Sequence, residues 1–380
     1  MAVWPFVPQD EPTEALAWLT DIIRAYDGEQ RAKLTDAPRS AFEFDYLLDS
    51  QQLARARAMV DGAGHLPWDL PIWTDVLAIG TWPAGQSSVE IDADYADFRI
   101  GEQALLFQSD TVWEVVDVVD GGGGAVDVET AAPAAVTYSP AWIVPLRTAY
   151  LTKGLRAGRK HPVLASVRAS WAIVGGVDLS AATDFSTHRT YPVMTDRAVV
   201  LSGYDESAEW DLDIIDNGIA EPYVDTEIGA AAVKSSVAWS LPTKASLWRL
   251  RQWLHTCKGR WHAFWVPTWS ADLVLRSNIS SAHTVIHVEA IGYPDYYTGT
   301  DIMILKTSGS IVCLRVLSGA TESGGEVLTL SAAVGQNITV AEIDRICFLS
   351  LMRFASDRFE FKHGPGSATL ITSVERVPVP

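Results

Sequence analysis

The chain carries one pattern twice. Around Trp73 the sequence runs PWDLPIWTDVL, and around Trp269 it runs AFWVPTWSADL. Superposed, Leu70–Pro71 falls on Val266–Pro267 and Trp73 on Trp269. Downstream, SVEIDADYADFRIGEQALLF from Ser88 matches VIHVEAIGYPDYYTGTDIMIL from Val285, with Gly101 against Gly299. Each copy continues through a strand-like segment (WEVVDVVD, IVCLRVLS), a glycine-rich tip, an alternating strand (VDVETAA, VLTLSAAV) and an apolar exit (WIVPLR, CFLSLMR). A period near half the chain is far longer than a solenoid unit, so the chain is a duplicated domain and not an array. Whatever fold one copy adopts, the other adopts too, and such pairs usually build symmetric assemblies.

Local patterns sketch one copy. SAFEFDYLL places Phe42, Phe44, Tyr46 and Leu48 on one face, a strand signature. DSQQLARARAMVDGAGH, capped at Asp49 or Ser50 and stopped at Gly62–Gly64, predicts a helix. In the second copy, Val237, Trp239 and Leu241 share a strand face. Pro242–Thr243 then opens a helix with Leu247, Leu250 and Leu254 on its stripe, terminating at Gly259. Arg249 and Arg251 lie off that stripe and read as solvated. The run ALAWLTDIIRAY admits either a short helix or a strand.

The expected organisation is an extended arm over 1–16, a first module over 17–151, a linker over 152–192 and a second module over 193–380. The linker begins with Lys153, Arg156, Arg159 and Lys160. An acidic stretch at 203–229 (GYDESAEWDLDIIDNGIAEPYVDTEIG) reads as an insert peculiar to the second copy. The expected fold class is mainly β (α+β): two tandem similar β-sandwich or barrel modules, each with a flanking helix and a β-meander extension. The tips at Asp120–Gly124 and Ser318–Gly325 read as hairpin turns.

Composition narrows the function classes. A hydrophobic fraction of 48% over 380 residues describes globular domains with ample core. A net charge of −18 argues against a general nucleic-acid binder, which needs Lys and Arg on phosphates. Three cysteines (Cys257, Cys313, Cys347) are too few for a disulfide framework. No run is long and apolar enough to read as a membrane span, and the N-terminus does not read as a signal peptide. The expected setting is a reducing cytoplasm.

Chemical signatures are sparse. Gly–x–Ser–x–Gly, His–Glu–x–x–His and dinucleotide fingerprints are absent. The four glycines at Gly121–Gly124 lack the following helix and Lys–Ser/Thr of a phosphate loop. His255, Cys257 and His262 cluster in sequence, but His–x–Cys is not a usual chelating pair. Asp211, Asp213, Asp216 and Asn217 offer oxygen ligands that calcium would accept, at a spacing that departs from the EF-hand loop. They are weak metal candidates, and neither metal nor cofactor is expected. Trp68, Trp73, Trp261, Trp265 and Trp269 read as core or interface aromatics; their alternative use is as stacking platforms in a carbohydrate-binding module or glycan hydrolase.

One resemblance emerges from the residues Leu247, Gly259, Arg260, Phe264, Trp265, Pro267, Thr268, Trp269, Asp272 and Leu273, with a weaker echo at Gly64, Trp68, Pro71 and Trp73. A helix ending in a Gly–Arg corner, followed by Phe–Trp–x–Pro–Thr–Trp and Asp–Leu, resembles minor tail proteins of long-tailed, siphovirus-like bacteriophages, in the distal tail and tail-tip hub group. The likeness covers about residues 190–275. It implies a β-sandwich or barrel with a flanking helix, in a ring that joins the tail tube to the receptor-binding apparatus, and it transfers no catalytic residue. The expected partners are copies of the chain itself in a trimeric or hexameric ring, the tail tube protein and hub or fibre proteins. DNA would be a transient passenger in the lumen, and no membrane is expected as a partner. The arm at Trp4, Pro5 and Phe6, and the VERVPVP tail, read as clasps for neighbouring subunits.

Overall fold

The computed structural model describes residues 2–9, 12–25, 28–122, 125–159, 161, 163–180, 185–197, 206–209, 212–219, 221–225 and 232–377. Strand makes up 52% of the chain and helix 11%, so the fold is mainly β.

The first copy opens with β1 (Ala2–Val3), β2 (Thr13–Ala17), β3 (Thr20–Ala25), β4 (Gly28–Lys33), β5 (Arg39–Asp49) and α1 (Ser50–Ala63). It continues through β6 (Trp68–Pro71), β7 (Leu77–Trp82), β8 (Ser88–Ile91), β9 (Gln103–Ser109), β10 (Val112–Gly122) and β11 (Ala125–Glu129). It closes with β12 (Tyr138–Leu151), β13 (Arg156–Arg159) and β14 (Leu164–Ile173). The second copy opens with β15 (Thr187–His188), β16 (Tyr191–Pro192), β17 (Glu206–Glu209), β18 (Asp213–Ile215), β19 (Tyr223–Asp225), β20 (Ala232–Leu241) and α2 (Lys244–Cys257). There follow β21 (Phe264–Pro267), β22 (Val285–Val288), the single turn α3 (Tyr293–Tyr296), β23 (Asp301–Lys306), β24 (Ile311–Glu322) and β25 (Gly325–Leu330). The last strands are β26 (Ile343–Phe354), β27 (Arg358–Gly364) and β28 (Ser367–Arg376).

Side-chain alternation drives the strands to the core as expected. Phe42, Phe44, Tyr46 and Leu48 are all buried, since alternate residues of a strand share a face. The face Val237, Trp239 and Leu241 is buried likewise. Helices α1 and α2 have 14 residues each, and each begins with a capping box, at Asp49 and at Thr243.

Registers show the duplication in three dimensions. In the first copy β5 pairs with β14, Tyr46 opposite Val167; in the second β20 pairs with β28, Trp239 opposite Leu370. Pro71 lies opposite Leu146 on β12, and Pro267 opposite Leu349 on β26. The long strands β12 and β26 each pass from this main sheet into the meander, through β9 and β10 in one copy and β23 and β24 in the other. Each module has three apolar clusters, one under its helix, one within its meander and one on the other face of the main sheet, around Trp265 and Leu349 in the second copy and Phe107 and Leu146 in the first.

Three expected boundaries are corrected. The segment 1–16 is no free arm: β1 pairs in parallel with β6, and Trp4 N–H donates to the Asp69 carbonyl at 3.1 Å. Trp4 and Phe6 are buried in the first module's own core, with Trp4 edge-on to Phe6, Tyr46 and Trp68, because burying large rings is strongly favourable. Pro5 is buried between them. Val193 pairs with Trp265 in the same parallel manner, and Met194 N–H donates to the Trp265 carbonyl at 2.9 Å, so this short lead-in strand is also repeated. The expected linker likewise dissolves into its neighbours, since β13 and β14 complete the first module's sheet and residues 187–192 dock on the second. Nor is the acidic segment an insert. The first copy's β2 and β3–β4 hairpin correspond to the second copy's β17 and β18–β19 hairpin. In the tail, Val377 is buried and its N–H donates to the Leu351 carbonyl at 2.9 Å; residues 378–380 lie outside the described set.

Candidate assembly site between the two modules

The two modules are joined by one strand. β2 pairs with its own module's β5 on one side, Glu14 opposite Phe42, and with the second module's β27 on the other, Glu14 opposite Phe361. The two main sheets are thereby continuous. Leu16 and Trp18, supplied by the first module, are buried in the second module's core, with Trp18 edge-on to His255 and Phe359. The first module lends the second a strand and an aromatic anchor.

A charged network lies beneath that strand. Arg251 of α2 donates to Glu14 Oε2 at 2.6 Å and to Asp75 Oδ1 at 3.0 Å, and His363 Nε2 lies 2.9 Å from Glu14 Oε2. Glu14, Asp75, Arg251 and His363 are all buried. Burial alone would push the Glu14 pKa up, but Arg251 and His363 outweigh it and hold the carboxyl down at about 2. For Arg251, burial opposes the charge and Asp75 and Glu14 overcome it, so its pKa rises. His255 is pulled down to about 4, first by burial, with Asp178 only partly opposing, and its Nδ1 accepts from the Leu179 N–H at 3.2 Å. Arg251, expected in solvent, is thus buried, because β2 covers a helix face that the second module alone leaves open.

The β3–β4 hairpin extends the joint. Glu29 accepts from Arg353 Nε at 2.7 Å, and Arg353 also pairs with Glu375. Arg353 is 1% exposed, so the hairpin seals it against water. Asp357 accepts from the Thr20 N–H and from the Arg260 N–H, tying the hairpin to the Gly259–Arg260 corner. Gly259 has φ +69, and a Cβ there would meet Asp357 Oδ1 at 2.4 Å, so the corner requires glycine. The Gly–Arg corner of the family-like signature therefore receives the first module.

The aromatic signature is structural. Trp68, Pro71, Phe264, Trp265 and Pro267 are buried, Trp265 Nε1 donates to the His188 carbonyl at 2.8 Å, and Trp73 meets Phe107 edge-on at 5.0 Å. Trp269 is half-buried and takes φ +58. None of the described tryptophans is exposed, so Trp68 and Trp265 offer a sugar no open ring face. A cavity of about 50 Å³ beside Glu14, Arg251 and His255 has room for a water or so, not for a substrate.

The metal candidates do not converge. Asp211 lies outside the described residues; Asp213 and Asp216 are exposed on and after β18, and Asp216 Oδ1 accepts the Gly218 N–H. Among the described residues no group of three His, Cys, Asp or Glu side chains could hold an ion. Cys257 is buried, while the His262 Nδ1 sits 2.8 Å from the Ala263 carbonyl, so the His255, Cys257 and His262 trio is spread over separate partners. Lys160 and the tip Gly123–Gly124 also fall outside the described residues.

The junction was missed in the sequence, although its signal was there. Glu14, Trp18, Asp21, Ile22 and Ile23 recur at a constant offset as Glu206, Trp210, Asp213, Ile214 and Ile215. No protein-family model matches the chain, and no curated protein does. Among the described residues no helix is long and apolar enough to cross a membrane.

Proposed function

We propose that the chain is a structural virion protein of a tailed bacteriophage, placed at the tail tip or baseplate. There it forms a ring that joins the tail tube to the hub or receptor-binding apparatus. The observation that supports this reading is the head-to-tail joint inside the chain: one module hands a strand to the next, similar module. Repeated between chains, such a heterologous contact generates a ring when its rotation closes. Three chains would present six similar modules, matching a six-fold tube on one side and a three-fold hub on the other. A hexamer with twelve modules is the competing count.

The partners in this reading are copies of the chain, the tube protein, and hub or fibre proteins, and the location is the virion tail. DNA passes through the lumen without being held, in keeping with the net charge of −18. Native mass spectrometry and electron-microscope class averages without imposed symmetry test the proposal. Closed rings that stack on purified tail tubes are expected. A chain that stays monomeric at all concentrations and ignores the tubes would defeat it.

A further inference from the structure

The joint inside the chain has a counterpart at each end, and among the described residues neither counterpart is paired on its outer edge. β17 pairs with β20 on one side, and among the described residues no strand pairs with its other edge. β13 pairs with β14, and among the described residues no strand pairs with its other edge either. By register these two strands are the repeat-mates of the strands that meet in the joint. Glu14 lies opposite Phe42 and Glu206 opposite Ser235, each partner four residues before the matched Tyr46 and Trp239. Arg159 lies opposite Ala165 and His363 opposite Ala368, each partner two residues before the matched Val167 and Leu370. Glu206 therefore stands where Glu14 stands, and Arg159 where His363 stands.

The surroundings of both ends are equally unfinished. Arg251 is the eighth residue of α2 and is buried against Glu14; Arg57, the eighth of α1, is exposed. Arg353 is sealed under the β3–β4 hairpin, whereas Tyr150, its repeat-mate on β12, is 46% exposed. On the donor side, Ile214, Ile215 and Tyr223 of the β18–β19 hairpin are exposed.

We infer that β17 of one copy adds, antiparallel, to β13 of a second copy of this chain, repeating between chains the joint that β2 and β27 make within one. The inference deepens the ring reading above and rests on it only for the number of chains. Charge selects the partner: β17 reads Glu–Ser–Ala–Glu and β13 reads Arg–Ala–Gly–Arg, whereas in the internal joint β2 carries the single charge of Glu14 and β27 carries both signs. A joint formed in solution needs such complementarity to find its register, and one within a chain does not. Arginines on an open edge ordinarily guard against stray strands, and an acidic strand is the guest they admit. In the complex position 206 of β17 falls beside Arg57 and Arg159 of the second copy, and the β18–β19 hairpin covers Tyr150.

The test is a charge exchange in the full chain, read by native mass spectrometry and analytical ultracentrifugation. Glu206→Arg and Arg159→Glu should each weaken self-association roughly 30-fold or more, while circular dichroism stays that of the parent. The double exchange in one chain, Glu206→Arg with Arg159→Glu, should assemble again whatever number of chains closes the ring, because every joint then pairs opposite charges at these two positions. A disulfide adds a geometric check: Ser207 and Arg156 are the repeat-mates of the facing pair Ala15 and Glu360. Chains carrying S207C and chains carrying R156C should cross-link when mixed, and A208C with A157C should cross-link more slowly, since the same register sets position 208 opposite Leu155 and not opposite Ala157. The native Cys257 and Cys347 are buried, and burial pushes Cys313 up to about 12 and Cys347 to about 11, so none of the three competes. Rings that persist in both charge variants would overturn this surface and leave the ring reading standing. A parent chain that never self-associates would overturn both.

Discussion

Glu14 and His363 are separated by 349 positions in the chain, yet their side chains lie 2.9 Å apart in a buried contact. Glu14 belongs to the strand that opens the first module, and His363 to a strand near the end of the second. Their contact, with Arg251 donating to the same carboxylate oxygen at 2.6 Å, ties the two modules together across the joint.

Removing the cation should therefore be costly. Arg251→Met leaves Glu14 and Asp75 buried without their shared partner, and breaking such a pair costs about 3–5 kcal/mol. Urea unfolding of the variant should show that loss. The double variant with Glu14→Gln should regain part of it, since one orphaned charge is gone. A single-variant loss below about 1 kcal/mol would mean that the network is wet.

Stability should fall with acid in two steps. His255 is held at about 4 in the fold, against 6.5 unfolded. Above 6.5 both states are neutral and its contribution is full; between 6.5 and 4 the unfolded chain takes the proton first, removing about 3 kcal/mol. Glu14 adds a lower window, from 4.5 down to about 2, where the unfolded carboxyl protonates before the folded one. His255→Gln should flatten only the upper step in a pH series of thermal melts. An unchanged slope between pH 6.5 and 4 would assign that step to other groups.

Much of each module could be read from the residues one at a time. Phe42, Phe44, Tyr46 and Leu48 declare a buried strand face, and Asp49 and Thr243 declare the helix starts, because these signals depend on neighbours in sequence. Arg251 could not be read this way. Its position off the leucine stripe says solvent, and the strand that buries it comes from 237 positions earlier. The same non-locality hid the junction: Glu14 and Glu206 match, but the eye goes to the aromatic strands, where the copies are densest in large residues. Trp4 and Phe6 misled for a related reason, since a proline-rich lead-in looks like an arm until the core that accepts it is known.

The Gly259 corner should tolerate no side chain. At φ +69, alanine is strained by about 1 kcal/mol or more, and its Cβ would also displace Asp357. Because Asp357 holds Thr20, the Gly259→Ala variant should loosen the β3–β4 hairpin before it unfolds the second module. Limited proteolysis would show new cleavage between residues 20 and 33 at temperatures where the parent is resistant. Cleavage elsewhere first would place the weak point outside the joint.

Phe264 and Trp265 give the sharpest separation between a structural and a sugar-stacking use of the aromatic signature. Phe264 is fully buried in the core under α2, against Trp253 and Phe354, and Trp265 is 1% exposed in the neighbouring cluster with Cys347 and Leu351. Truncating either to alanine removes a large buried ring, which costs about 3–5 kcal/mol. Both variants should lose comparable stability in thermal melts, and Trp68→Ala in the first module should do the same, since Trp68 and Phe264 occupy one register position. A sugar platform predicts a different split: Trp265→Ala would keep its melting temperature and lose glycan binding, because a stacking residue is open to its ligand. Measuring both quantities on the same protein decides between them, and the burial of these rings predicts the first result.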